Sequence, residues 1–157
     1  MPQLVKRGKY VFGWSRLEKD GKIKIPQEAV KEYSFESGEI IILISGSKSS
    51  GGFGIFKLEK LQSSPLKSIL HQIERSLKQK IPFNKSIRYK NRYYCWTTIK
   101  EESCINLLDE TLKAYGITVP TKVLAVRGSG LGLTYLSRGP IYHKALQHPE
   151  IPEYKAL

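Results

Sequence analysis

Polar and apolar residues alternate in two short runs near the start of the chain, Trp14-Ser15-Arg16-Leu17 and Lys22-Ile23-Lys24-Ile25. A period of two marks a half-buried strand, and Lys19-Asp20-Gly21 between the runs is a turn signal. Pro26 suits the first position of a helix, and Ala29, Val30 and Tyr33 follow at helical spacing over 27–33. The unbroken apolar run 40–44 reads as a strand buried on both faces. A glycine- and serine-rich turn over 46–52 and a returning strand over 53–56 complete the unit. The order is strand, strand, short helix, strand, strand.

The unit occurs twice. Trp14 and Trp96 stand 82 positions apart, and at that offset 6–47 aligns with 88–129 without a gap. Glu28/Glu110, Lys31/Lys113, Tyr33/Tyr115 and Gly46/Gly128 are identical, and the apolar positions follow, as in Ile23/Ile105, Val30/Leu112 and Ile41/Val123. After a gap of four residues in the second copy, Gly52-Phe53-Gly54-Ile55 matches Gly130-Leu131-Gly132-Leu133. One such sheet is too small to close a core by itself. Two copies are too few for a solenoid and predict a pseudo-twofold pair, a homodimer fold written into one chain.

The stretch Leu17-Glu18-Lys19-Asp20-Gly21-Lys22-Ile23-Lys24-Ile25-Pro26, followed by a short helix and a long apolar strand, resembles the AbrB/SpoVT/MazE family. The likeness covers 12–58 and, through the repeat, 94–136. In the second copy Ser103, Cys104 and Leu108 stand where the first has Gly21, Lys22 and Pro26. The tandem is also similar to the organisation of MraZ-like proteins, whose acid-x-x-x-Arg motif is represented by Glu18 and Lys22. The resemblance implies a mainly β fold with short helices: a pseudo-twofold swapped-hairpin barrel from two tandem ββαββ modules, plus an amphipathic connector helix. The expected organisation is a first module over 6–58, a basic helical connector over 59–87, a second, degenerate module over 88–136, and a C-terminal helix and tail over 137–157.

Within the connector, 65–78 is predicted as an amphipathic helix with Ser64 as its cap and Leu66, Ile69, Leu70, Ile73 and Leu77 as one apolar stripe. That stripe either packs on the barrel or serves a partner, such as a homodimer seam. The stretch 81–92 reads as a basic, partly flexible lead into the second copy. A short helix is expected over 140–147, and Pro149 and Pro152 mark an extended tail.

Composition changes the picture in one respect. The 157 residues carry a formal net charge of +12, which favours polyanionic partners and says nothing about fold. Apolar residues make up 40% of the chain, enough for a core. No apolar run is long enough to span a bilayer and the N-terminal residues hold no signal-peptide core, so a cytoplasmic location with no membrane association is expected. The two cysteines, Cys95 and Cys104, fit no metal or disulfide spacing and are expected to be packing residues. Asp20 and Asp109 are the only aspartates, the second at the expected cap of the second short helix. His71, His143 and His148 lack metal spacing. The 128–132 glycines precede a strand and lack the Gly-Lys-Ser/Thr of a phosphate loop, so a glycine hairpin is expected. These features predict no enzyme, cofactor, metal or small-molecule substrate.

The basic face carries the functional expectation. With Ile23 and Ile25 inward, Lys22 and Lys24 point outward together. With Leu17 inward, Trp14 and Arg16 lie on the other face. The turn adds Lys19 and the short helix Lys31. In the resembled family, basic residues of these strands and the early helix contact DNA, and Arg16, Lys22 and Lys31 fall at or beside such positions. Phe12 and Trp14 either stack on bases or cover the barrel. The expected function is a DNA-binding transcriptional regulator with double-stranded DNA as partner and a homodimer through the connector helix. The alternative is a protein-interaction or antitoxin-like module. RNA in place of DNA is a variant of the first.

Overall fold

A computed structural model describes residues 9–61, 67–78, 85–128 and 132–156. The protein is mainly β, with short helices set around one eight-stranded sheet that does not close on itself. In the first copy the elements are β1 (Val11–Leu17), β2 (Lys22–Lys24), α1 (Gln27–Tyr33), β3 (Ile40–Ser45) and β4 (Phe53–Lys57). Two helices follow, α2 (Leu58–Leu61) and α3 (Lys67–Lys78). The second copy comprises β5 (Ile87–Tyr89), β6 (Arg92–Thr98), β7 (Cys104–Asn106), α4 (Asp109–Ala114), β8 (Thr121–Arg127) and β9 (Gly132–Leu136). The chain ends with α5 (Pro140–Ala145) and β10 (Glu153–Tyr154).

The large sheet runs β10-β1-β8-β9-β4-β3-β6-β5, and β2 pairs with β7 as a separate ribbon. Exchanging the copies turns β1-β8-β9-β4-β3-β6 into its own reverse. The exchange holds residue by residue: Trp14 lies opposite Leu124 and Trp96 opposite Ile42, both antiparallel. Thus β1 pairs with β8 and β6 with β3, across the copies, while the β3–β4 and β8–β9 hairpins stay within their own copies.

One face of the sheet holds the main core. Phe12, Leu17, Ile41, Leu43, Phe53, Ile55, Val123, Leu133 and Tyr135 are buried there under the ribbon residues Ile23 and Ile105, with Ala29 of α1 and Leu112 of α4. On the other face each tryptophan has its own cluster. Trp96 packs with Ile42, Ile44, Tyr94, Leu61 and Leu70 beneath α2 and α3. Trp14 packs with Val11, Leu124, Val126, Leu136, Ala145 and Ile151 beneath α5 and the tail. As strand alternation requires, Ile41 and Leu43 enter the main core while Ile42 and Ile44 enter the second cluster.

Several sequence expectations change. The N–H of Gly46 donates to the Gly52 carbonyl at 2.9 Å, and that of Gly128 to Gly132 at 3.1 Å. These matching closures equate Gly46 with Gly128 and Gly52 with Gly132, so the second copy is shorter by two residues, not four. The hairpins then align Phe53 with Leu133 rather than with Leu131. The lead into the second copy holds the β5–β6 hairpin, turned by Lys90 and Asn91 at φ 47° and 64°. Two successive positive φ values match the twist of the flanking strands. Pro26 is the N-cap of α1 rather than its first residue, and Leu108 rather than Asp109 caps α4. The tail pairs parallel to β1, with Trp14 beside Glu153. Leu70 of the expected α3 stripe packs on the sheet. Ser64, Leu66, Gly130 and Leu131, and the side chains of Ile69, Ile73 and Leu77, lie outside the described residues.

Candidate nucleic-acid interface

The turn after β1 is built by Asp20 and Gly21. An Asp20 carboxylate oxygen accepts the Lys22 N–H at 3.0 Å, and Gly21 sits at φ +75°. This turn delivers β2 to β7 in the register Lys22↔Asn106, Ile23↔Ile105 and Lys24↔Cys104. Two backbone hydrogen bonds extend the ribbon symmetrically: Leu107 N–H donates to Gly21 O at 2.8 Å, and Ile25 N–H to Ser103 O at 2.9 Å. Ile23 and Ile105 are fully buried, while Lys22, Lys24 and Asn106 are partly exposed on the reverse face.

A buried hydroxyl pair anchors the ribbon to the sheet. Ser15 Oγ donates to the Lys24 carbonyl at 2.6 Å and shares a hydrogen bond with the Tyr135 hydroxyl at 2.8 Å. Burial pushes the Tyr135 phenol far above its ordinary range, so it stays protonated at the Ser15 contact. The Lys24 backbone is thereby fixed while its ammonium faces outward.

The expected site residues divide into groups. Lys22 and Lys24 share the ribbon, and Lys19 is exposed on the adjoining turn. Lys31 is exposed in the last turn of α1. Arg16 lies on the face of the sheet that carries Trp14, away from the ribbon. Its guanidinium reaches Glu18 at 3.5 Å and Glu153 at 3.4 Å. These pairs are well exposed and screened, so their stabilising effect is small. They nevertheless offset the charge that Arg16 would present. Phe12 is buried in the main core, and Trp14, 2% exposed, meets Tyr142 edge-on at 5.1 Å. Neither ring is presented for base stacking.

Two lysines escaped the sequence reading. Lys122 lies opposite Arg16 in the ladder, with its Nζ 4.3 Å from the Trp14 ring centroid. Lys100 shares with Lys22 and Cys104 a recess of about 460 Å³ that Glu101 and Glu102 also line. Only the β1–β8 and β2–β7 registers reveal these neighbours; no local pattern does. Burial raises the Cys104 thiol pKa, with Lys24 and Lys22 opposing that shift, so the thiol sits against the basic ribbon face.

Among the described residues no group of His, Cys, Asp or Glu side chains is placed to hold a metal ion, and no helix is long and apolar enough to cross a membrane. No family model matches the chain, and no curated protein matches it at a significant level.

Proposed function

We propose that the protein is a DNA-binding transcriptional regulator whose β2–β7 ribbon meets the duplex. The observation that carries the reading is the two-faced ribbon, which buries Ile23 and Ile105 and turns Lys22, Lys24 and Asn106 outward. A two-stranded ribbon has the dimensions that the major groove admits, and an asparagine can pair with an adenine edge. Lys22, directly opposite Asn106, and Lys24, two residues along the same strand, neutralise phosphates and release counterions, the term that dominates affinity for DNA. The net charge of +12 supports the same partner. Lys19 and Lys31 extend the phosphate contacts. Arg16, on the face of the sheet away from the ribbon, is a separate and more distant contact that also requires its carboxylate partners to be displaced. The exchange of β1 and β6 between copies supports two swapped AbrB-type halves as the ancestry of the fold. The modules 6–58 and 88–136, the connector 59–87 and the C-terminal segment 137–157 remain the proposed organisation. A homodimer through α3 is a separate proposal, and sedimentation over a range of concentrations tests it.

The test is salt-dependent binding to duplex DNA by the wild type and Lys22→Ala/Lys24→Ala. Each lost phosphate contact should flatten the log–log slope by roughly one unit, with the fold unchanged. A folded double variant with unaltered affinity and slope would exclude the ribbon as the interface. The quadruple alanine variant at Arg16, Lys22, Lys24 and Lys31, if folded and still binding normally, would exclude the regulator reading.

A further inference from the structure

The pseudo-twofold produces two related recesses that differ in charge. The first, about 310 Å³, lies beside the end of α1 and is lined by Glu32, Lys57, Glu59, Lys60 and Arg127 among others. Two of its three cations have acidic partners: Arg127 makes a two-pronged contact with Glu32 at 2.5 and 2.7 Å, and Lys57 Nζ lies 3.7 Å from Glu39. The second, about 250 Å³, lies beside the end of α4, between the 46–52 loop and the corner after β9. Lys48, Lys113 and Arg138 line it together with Asn91, and no carboxylate does. Ala114 stands where the repeat places Glu32 in the first copy.

The second recess is held in shape by Arg138. Its Nε and Nη2 donate to the Lys48 carbonyl at 3.0 and 2.6 Å. Nη1 passes close to Gly51 and Gly116, where an added Cβ would stand 2.9 and 3.1 Å from it. Both glycines have positive φ, 60° and 71°, so the backbone conformation and the space for the guanidinium coincide. Among the described residues none of Lys48, Lys113 and Arg138 forms an ion pair. Three cations around a small recess repel one another unless an anion joins them.

We infer that the recess formed by Lys48, Lys113 and Arg138 is a binding site for a phosphoryl anion, separate from the ribbon. Arg138 is fixed in place and supplies directed donors, and the two lysines act as mobile point charges, a combination suited to a tetrahedral dianion. A free phosphorylated small molecule and a backbone phosphate of nucleic acid share this chemistry. The site does not depend on the ribbon reading.

The experiment is a titration of the isotope-labelled full chain with inorganic phosphate, at constant ionic strength against chloride, followed by amide shifts. Saturable shifts centred on Gly51 and Gly116 are expected. Ala114→Glu, which restores the acid of the first copy, should weaken binding about tenfold. Lys113→Ala should weaken it with less risk to the fold. Lys22→Ala/Lys24→Ala should leave it unchanged, which separates this site from the ribbon. Parallel titrations with a mononucleotide and a short duplex identify the source. Saturation at this recess by the mononucleotide marks a free ligand, and saturation by the duplex alone marks backbone phosphate. Shifts that fail to saturate, that spread evenly over the lysines, or that persist in both folded recess variants would overturn the site.

Discussion

Gly21 and Leu107 are locked together: the Leu107 N–H donates to the Gly21 carbonyl at 2.8 Å, and a Cβ on Gly21 would stand 2.0 Å from the Leu107 carbonyl oxygen. Backbone therefore packs on backbone where the first copy's turn meets the residue that follows β7. The φ of +75° adds a second reason for glycine. Gly21→Ala should destabilise the fold by about 2–4 kcal/mol, since rigid backbone must move to admit the methyl group. Thermal and denaturant unfolding measure this, and a variant as stable as wild type would show that the ribbon yields easily.

Strand exchange between the copies predicts that half of the chain will not make a stable monomer. In residues 1–60 alone, β1 loses β8 and β3 loses β6, leaving long unpaired edges and an uncovered core. Sedimentation and circular dichroism should show an unfolded chain or a homodimer. A folded, stable monomer of that fragment would contradict the exchange.

Arg16 is held by Glu18 and by Glu153 of the tail. If Arg16 contacts DNA, Glu153→Gln should raise duplex affinity about two- to fivefold by releasing it and by removing a repulsive charge. Arg16→Ala should abolish that gain. Because these pairs are exposed, stability should change by less than about 0.5 kcal/mol in either variant. Binding isotherms for the single and double variants check the coupling.

Cys95 lies in the core beside the Tyr115 hydroxyl, 3.6 Å away, and burial pushes its thiol up to about 11 from an ordinary value near 9. The folded state thus retains a proton that the unfolded state loses first. This contribution is fully present below about pH 9 and is lost as the pH rises towards 11. It amounts to about 2–3 kcal/mol at its largest. Cys95→Ala should flatten the alkaline fall in stability across that window, although the smaller side chain lowers stability at neutral pH. Unfolding curves from pH 7 to about 11 test it, and an unchanged alkaline slope would remove Cys95 as a cause.

Much of the architecture was legible because its causes are local. Alternation through Lys22-Ile23-Lys24-Ile25 set which side chains face the core, and helical spacing located α1 almost to its ends. The 82-residue offset between the tryptophans carried the pseudo-symmetry, because both copies bury the same pattern. What needed tertiary structure was the identity of neighbours. A strand's ladder can be satisfied by any strand in register, so nothing within β1 specifies β8 or places Lys122 over Trp14. Charge followed the same rule. The sequence lists Arg16, Arg127 and Arg138 alike, but packing sets the first beside Glu153 and the second against Glu32, and leaves Arg138 facing a recess without an acid. The side on which a residue emerges depends on its own few dihedrals, whereas the group that answers it depends on contacts made across the whole chain.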